Sequence, residues 1–176
     1  MSCIFNTTYP LGCRDNIAGI QRVFVRNWSA NTAYSYSADG TITGATAPYS
    51  AGTWYEIQVR PETGSFNPGT GAHNIENGTN FWTQDLTLTL HKYQATVRTL
   101  LYSLAQIEME IIVLTQNDQY LLCGEQNGAN LTASLASVGK AYGDLNGTTL
   151  TMTAKEPTPA RVMSSTLFAA LNITSA

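Results

Sequence analysis

Between Phe81 and Glu156 the spacing of apolar positions changes repeatedly, and each change marks an element. Leu86, Leu88 and Leu90 alternate with Asp85, Thr87 and Thr89, the period-two pattern of a strand with one buried face, predicted over 80–90. Tyr93, Val97, Leu100, Leu101 and Leu104 then fall at i, i+4, i+7, i+8 and i+11, which places them on one face of a helix over 92–106. The run Met109-Glu110-Ile111-Ile112-Val113-Leu114-Thr115 turns at Gln116-Asn117-Asp118 and returns through Tyr120-Leu121-Leu122-Cys123, the pattern of a hairpin. Leu150 and Met152, alternating with Thr149, Thr151 and Thr153, predict a closing strand over 148–155, which Pro157 and Pro159 end.

Upstream, a strand is predicted over 20–28, with Val23 and Val25 facing opposite to Phe24, Arg26 and Trp28. Leu11 to Asn16 is a turn-rich lead into it. A second strand is expected over 54–60, stopped by Pro61. The polar stretch 31–50 holds the turn Ala38-Asp39-Gly40-Thr41 between short strands, because Asp-Gly supplies positive φ. Residues 62–80, rich in Gly, Pro and Asn, are expected to form a long connection; one of that length is functional or interfacial. A weak strand is predicted over 129–133, and the glycine-punctuated loop 139–147 ends in the turn signal Asn146-Gly147. The segment 161–176 carries Val162, Met163, Leu167, Phe168 and Leu171, an odd set to leave in water, and is expected to pack on its own domain or on a neighbouring subunit. The sum is a mainly β (α+β) chain with one helix, a single domain over 1–160 and a C-terminal tail over 161–176.

Composition adds one unusual fact. Charged residues make up 12% of the 176 residues, about half of the roughly 25% typical of soluble chains. Thr, Ser, Asn and Gly replace them. Such neutral polar groups are buried against a partner at little desolvation cost, so the composition favours multi-subunit packing. Net charge is −3 with no basic patch, which argues against direct electrostatic binding of nucleic acid. No apolar run approaches the roughly 18 residues of a membrane span. The start, Met1-Ser2-Cys3-Ile4-Phe5, lacks the features of a signal peptide. Cys3, Cys13 and Cys123, odd in number and scattered, are expected to be reduced structural thiols made in a cytoplasm.

Candidate chemistry is sparse. His73 and His91 have no Asp, Glu or Cys at ligand spacing, so no metal is expected. Cys123 sits among apolar hairpin residues and is expected to be a small buried hydrophobe. Gly139-Lys140 lacks both the earlier glycine and the following Ser/Thr of a phosphate loop, and Gly69-Thr70-Gly71 lacks the third glycine of a dinucleotide fingerprint. Glu108 and Glu110 flank Met109 and so share one strand face; a solvated strand start is the expected reading, and the lining of a tube or groove the more interesting one. No catalytic, cofactor or metal residue is assigned, and an enzyme is not expected.

Several phrases carry a likeness. They are the strand ending in Val59-Arg60, Thr83-Gln84-Asp85-Leu86-Thr87-Leu88-Thr89-Leu90, the helix, Met109 to Thr115, Gln119 to Gly124, and the run from Gly139-Lys140-Ala141-Tyr142-Gly143-Asp144 to Thr153-Ala154-Lys155-Glu156. These, with Gly12-Cys13-Arg14-Asp15-Asn16-Ile17-Ala18-Gly19-Ile20 at the start, resemble the tail-tube fold of tailed bacteriophages, in particular small virion proteins of phages infecting Bacteroidetes and of the crAss-like group. The resemblance implies an antiparallel β-sandwich or partial barrel with one flanking α-helix, and inner strands of several subunits joined into a β-barrel around a channel for genomic DNA, which passes without sequence-specific binding. It implies a homo-oligomeric tail tube or a tail or connector ring (hexamer or dodecamer), partnered by other tail or connector proteins, located in the virion and made in the bacterial host cytoplasm. It makes 31–50 and 62–80 candidates for inter-ring contacts and puts the helix 92–106 outside the sheet. The alternative is a β-sandwich module binding carbohydrate or another surface ligand, with Trp28, Trp54, Tyr55 and Trp82 as aromatic platforms.

Overall fold

The computed structural model describes residues 16–46 and 52–175; Cys3, Cys13 and most of the turn expected at 11–16 lie outside them. Twelve strands and two helices follow in the order β1 (Ile20–Asn27), β2 (Tyr34–Tyr36), β3 (Ile42–Ala45), β4 (Thr53–Ile57), β5 (Gly64–Asn74), β6 (Thr79–His91), α1 (Ala95–Leu104), β7 (Met109–Thr115), β8 (Tyr120–Cys123), β9 (Ala129–Ser137), β10 (Gly147–Glu156), β11 (Arg161–Met163), α2 (Ser165–Ala169) and β12 (Asn172–Thr174). The chain is mainly β, and its strands form one hydrogen-bonded sheet that is not closed into a barrel.

That sheet has two parts. One runs β12-β4-β1-β7-β8-β11-β3-β2, and the other is an arm of four strands, β9-β10-β6-β5. Their junction is a single residue pair, Met109 with Ala129. The arm folds over the first part and encloses the main core, where Leu86, Leu88, Leu90, Leu150 and Met152 meet Val23, Val25, Ile111 and Val113. Helix α1 closes this core with Val97, Leu100, Leu101 and Leu104. Behind the first part lies a second core of Phe24, Trp54, Ile112, Leu114, Leu122 and Met163, covered by Leu167, Phe168, Leu171 and Ile173. Phe168 packs edge-on against Phe24 (5.0 Å) and stacked on Tyr120 (4.1 Å). β1 and β7 therefore have apolar neighbours on both faces, which is why Ile111 to Leu114 of β7 is an unbroken apolar run and not an alternating one.

Four expectations needed correction. Residues 62–80 are not a long connection, since β5 pairs with β6 from Gly64↔Leu88 to Asn74↔Thr79. Glycine and proline hid it. An edge strand with one partner tolerates them, and Pro68 sits at the irregularity between Asn67 and Thr70, where no ladder N–H is required. The second strand ends at Ile57 instead of Arg60, because β1 pairs with β4 only through Val23–Val25. The helix is shorter than 92–106; Lys92 has φ 66°, outside the helical range, and Gln94 is the N-cap. The strand expected over 129–133 continues to Ser137, held by β10 along its length. The tail joins the fold: β11 pairs with β8 and β3, β12 pairs with β4, and α2 is a second, short helix.

Candidate functional site

Alternation in the arm sends leucines inward and hydroxyls outward. On the outer face Thr87 Oγ1 lies 3.4 Å from Thr151 Oγ1, Thr89 Oγ1 3.5 Å from Thr149 Oγ1, and Thr132 Oγ1 3.1 Å from Thr153 Oγ1. Thr153 Oγ1 donates to Asp85 Oδ1 at 2.6 Å. The register adds Ser65 and Asn67 from β5 and Asn130, Ala133 and Leu135 from β9 to the same face. Its charges are Asp85 and Lys155, of opposite sign; Lys155 Nζ lies 5.8 Å from the centre of the Phe81 ring. This face is hydroxyl-rich and neutral overall.

Neither margin of the arm has a further strand beside it along its length among the described residues, although the Pro68 carbonyl of β5 accepts the Ala160 N–H (2.7 Å). Beyond Ala129, β9 pairs only with β10, and β5 pairs only with β6 among the described residues. β9 carries no charge and no proline over its nine residues, and it exposes Leu135. Sheet edges left free are normally blunted by lysine, proline or a cover, and β9 has neither lysine nor proline.

A set of buried polar contacts holds the arm to the rest of the sheet. Gly124 N–H donates to Gln84 Oε1 (3.2 Å), and Gln84 Nε2 donates to the Thr158 carbonyl (3.1 Å). Glu156 Oε1 accepts the N–H groups of Gln126 (3.0 Å) and Asn127 (2.9 Å); burial nevertheless pushes its carboxyl up. Glu125 accepts the Tyr36 hydroxyl and lies 3.5 Å from Arg161, whose guanidinium covers the Tyr36 ring. Burial, reinforced by that carboxylate, pushes the Tyr36 phenol up to about 12.

The solvated strand start expected at Glu108 and Glu110 does not hold for Glu110. Glu108 precedes β7 and is exposed, whereas Glu110 is fully buried and faces Arg26 on β1. Arg26 Nε donates to Glu110 Oε2 at 2.7 Å, and Arg26 Nη2 reaches both that oxygen (2.6 Å) and Thr32 Oγ1 (3.1 Å). Burial pushes the Glu110 carboxyl up to about 7, against the opposing pull of Arg26. The solvated strand start is thus corrected to an ion pair between the two central strands. Only the strand pairing that sets Arg26 opposite Glu110 reveals it.

Of the other singled-out residues, Cys123 is buried with a free thiol, and burial pushes that thiol up. We expect Cys123 to resist alkylation in the folded chain and to react only on denaturation, as peptide mapping by mass spectrometry would record. His73 Nδ1 pairs with Asn80 Oδ1 (2.7 Å) and its ring packs edge-on against Trp82; His91 lies at the far end of β6. No group of three or more His, Cys, Asp or Glu able to hold a metal occurs among the described residues. Trp54 is fully buried and is therefore not a platform, Trp82 packs against His73, and Tyr55 is exposed. Trp28 and Tyr55 line one cleft of about 400 Å³. Gly139-Lys140 lies in the exposed loop between β9 and β10, where Asp144 accepts the N–H groups of Lys140 and Ala141. No helix among the described residues is long and apolar enough to cross a membrane. No family model matches this chain, and no curated protein sequence does.

Proposed function

We propose that this chain is a structural, non-enzymatic component of a tailed-phage virion that assembles into a homo-oligomeric tail tube or tail or connector ring around the path of the DNA. The observation that carries the reading is the four-stranded arm, with no further strand along either margin among the described residues and with its neutral hydroxyl face. Its strands alternate in direction, so β9 of one copy beside β5 of the next continues the antiparallel order. Two different edges meeting head to tail form a heterologous contact, which closes into a ring when the rotation allows. Four strands at about 4.8 Å supply about 19 Å of circumference per copy, so six copies give a barrel about 37 Å across between backbones, wider with strand tilt. Hydroxyls satisfied by one another, with one charge of each sign, offer a passing polyanion neither attraction nor strong repulsion. Other tail or connector proteins are the partners this reading calls for.

The test is the particle mass by light scattering after size exclusion, with negative-stain imaging of the same peak. Rings or tubes with a central hole are the expected result. A monomer near the 19.0 kDa chain mass at every concentration would overturn self-assembly and turn attention to the carbohydrate-binding alternative. The exposed Tyr55 beside Trp28 is what favours that second reading.

A further inference from the structure

Two hollows lie between α1 and the strands beside it, and they share Tyr55, Ile57 and Leu100. The wider, of about 620 Å³, opens at the N-terminal turn of α1, where Gln94, Thr96 and Val97 line it. The narrower, of about 200 Å³, continues past Leu100 to Leu104 and Ile107. Together they make a trough that follows α1, whose ten residues span about 15 Å. Its two ends differ in kind. At the wide end stand Arg60 and Lys92, neither of which makes an ion pair among the described residues. The Lys92 backbone is fixed there at φ 66°, with its N–H donating to the Asn146 carbonyl (2.6 Å). The first turn of α1 adds to the positive field, since it holds no acidic residue and its N-cap, Gln94, gives it no side-chain hydrogen bond. Glu56, the carboxylate in this lining, is held by Arg22 at 2.6 Å. At the narrow end the lining is mainly apolar, and its charged group, Arg26, is held by Glu110 at 2.6 Å.

We propose that this trough binds a free single-chain organic anion, a medium-length acyl carboxylate, with its head between Arg60 and Lys92 and its chain laid along α1 toward Leu104. Both halves of such a ligand answer to the lining. The acid group meets two cations that lack a partner and a helix end that favours negative charge. The chain covers Ile57, Leu100 and Leu104 and takes their apolar surface out of water. An enclosed apolar recess with a few convergent polar groups at its mouth is the usual form of a small-molecule site. The narrow hollow admits one chain at a time, so the occupant is a free amphiphile and not a bilayer surface. The site goes beyond the ring reading and does not depend on it.

Isothermal titration calorimetry of the full chain with decanoate, decanol and inorganic phosphate tests this, with particle mass followed by light scattering in the same samples. Decanoate should bind saturably, and decanol and phosphate about tenfold more weakly or worse. Arg60→Gln with Lys92→Gln should weaken decanoate binding by about tenfold or more and leave decanol unchanged. Leu100→Trp, which fills the passage between the two hollows, should weaken both. Arg98→Gln, on the same helix but outside the lining, should change neither. Matching circular dichroism spectra would show that each variant is folded, and the exposed Arg60 and Lys92 keep the test open should Leu100→Trp fail to fold. Absence of saturable decanoate binding, or binding indifferent to the paired charge removal, overturns the site. Binding to vesicles of anionic lipid without binding to decanoate overturns the free ligand. Decanoate that binds only by dissociating an assembled particle would show that a second copy fills the trough, and overturns the proposal as well.

Discussion

Replacing Glu110 with alanine lowers the unfolding free energy by about 3–5 kcal/mol, the expected cost of removing one partner from a buried ion pair. The Arg26 side chain is 4% exposed and the Glu110 side chain 0%, so the guanidinium left behind has no water to replace the carboxylate. Thr32 and the Trp54 ring, 5.0 Å away, remain beside it but bring no negative charge. Urea denaturation measures the loss. A change below about 1 kcal/mol would mean that the pair does not exist as described. The double replacement Arg26→Met with Glu110→Leu should come out near neutral, because it removes both charges together.

The same carboxyl has a pH signature. Its ordinary value is 4.5, and burial raises it to about 7 in the fold, so between those values the folded chain holds a proton that the unfolded chain has released. The folded state then binds more protons, and stability falls as pH rises. The contribution of Glu110 is therefore largest below about 4.5 and is lost as pH climbs through about 7. Subtracting the pH profile of Glu110→Gln from that of the wild type should isolate this decline. A flat or rising difference would contradict it.

Gly124→Ala is the second large effect, a loss of about 3 kcal/mol or more. Gly124 has φ 76°, and a Cβ there would sit 2.7 Å from the Ala129 nitrogen and 2.9 Å from the Met109 carbonyl oxygen. Left-handed backbone costs an L-residue about 1–2 kcal/mol, and forcing packed atoms apart about 1–3 kcal/mol more. The atoms to be displaced are backbone atoms of the one residue pair that joins β7 to β9, so the strain falls on the link between arm and sheet. Gly40→Ala is the control, since Gly40 has φ 85° and nothing within 4 Å of an added Cβ. It should lose only the conformational part. Equal losses at the two positions, read from urea midpoints, would show that the corner is not tightly packed.

The sequence alone settled the elements whose period reports their burial. β6 and β10 were visible as alternating leucine and threonine, α1 as a helical stripe, and β7–β8 as an apolar hairpin, because in each the pattern is set by the strand or helix itself. β5 was not visible, since glycine and proline carry no burial pattern and its existence depends on the β6 ladder. The arm's hydroxyl face was present in the threonine spacing, but its continuity over four strands needed the register.

What only the tertiary structure decided is how distant residues meet. Arg26 and Glu110 are 84 positions apart, and no local spacing distinguishes Glu110, which is buried, from Glu108, which is exposed. That β5 and β9 lie at the two margins of the arm follows from strand order, which is set by contacts far apart in the chain. Period along a chain records which face is dry; which face meets which other is a property of the packed whole.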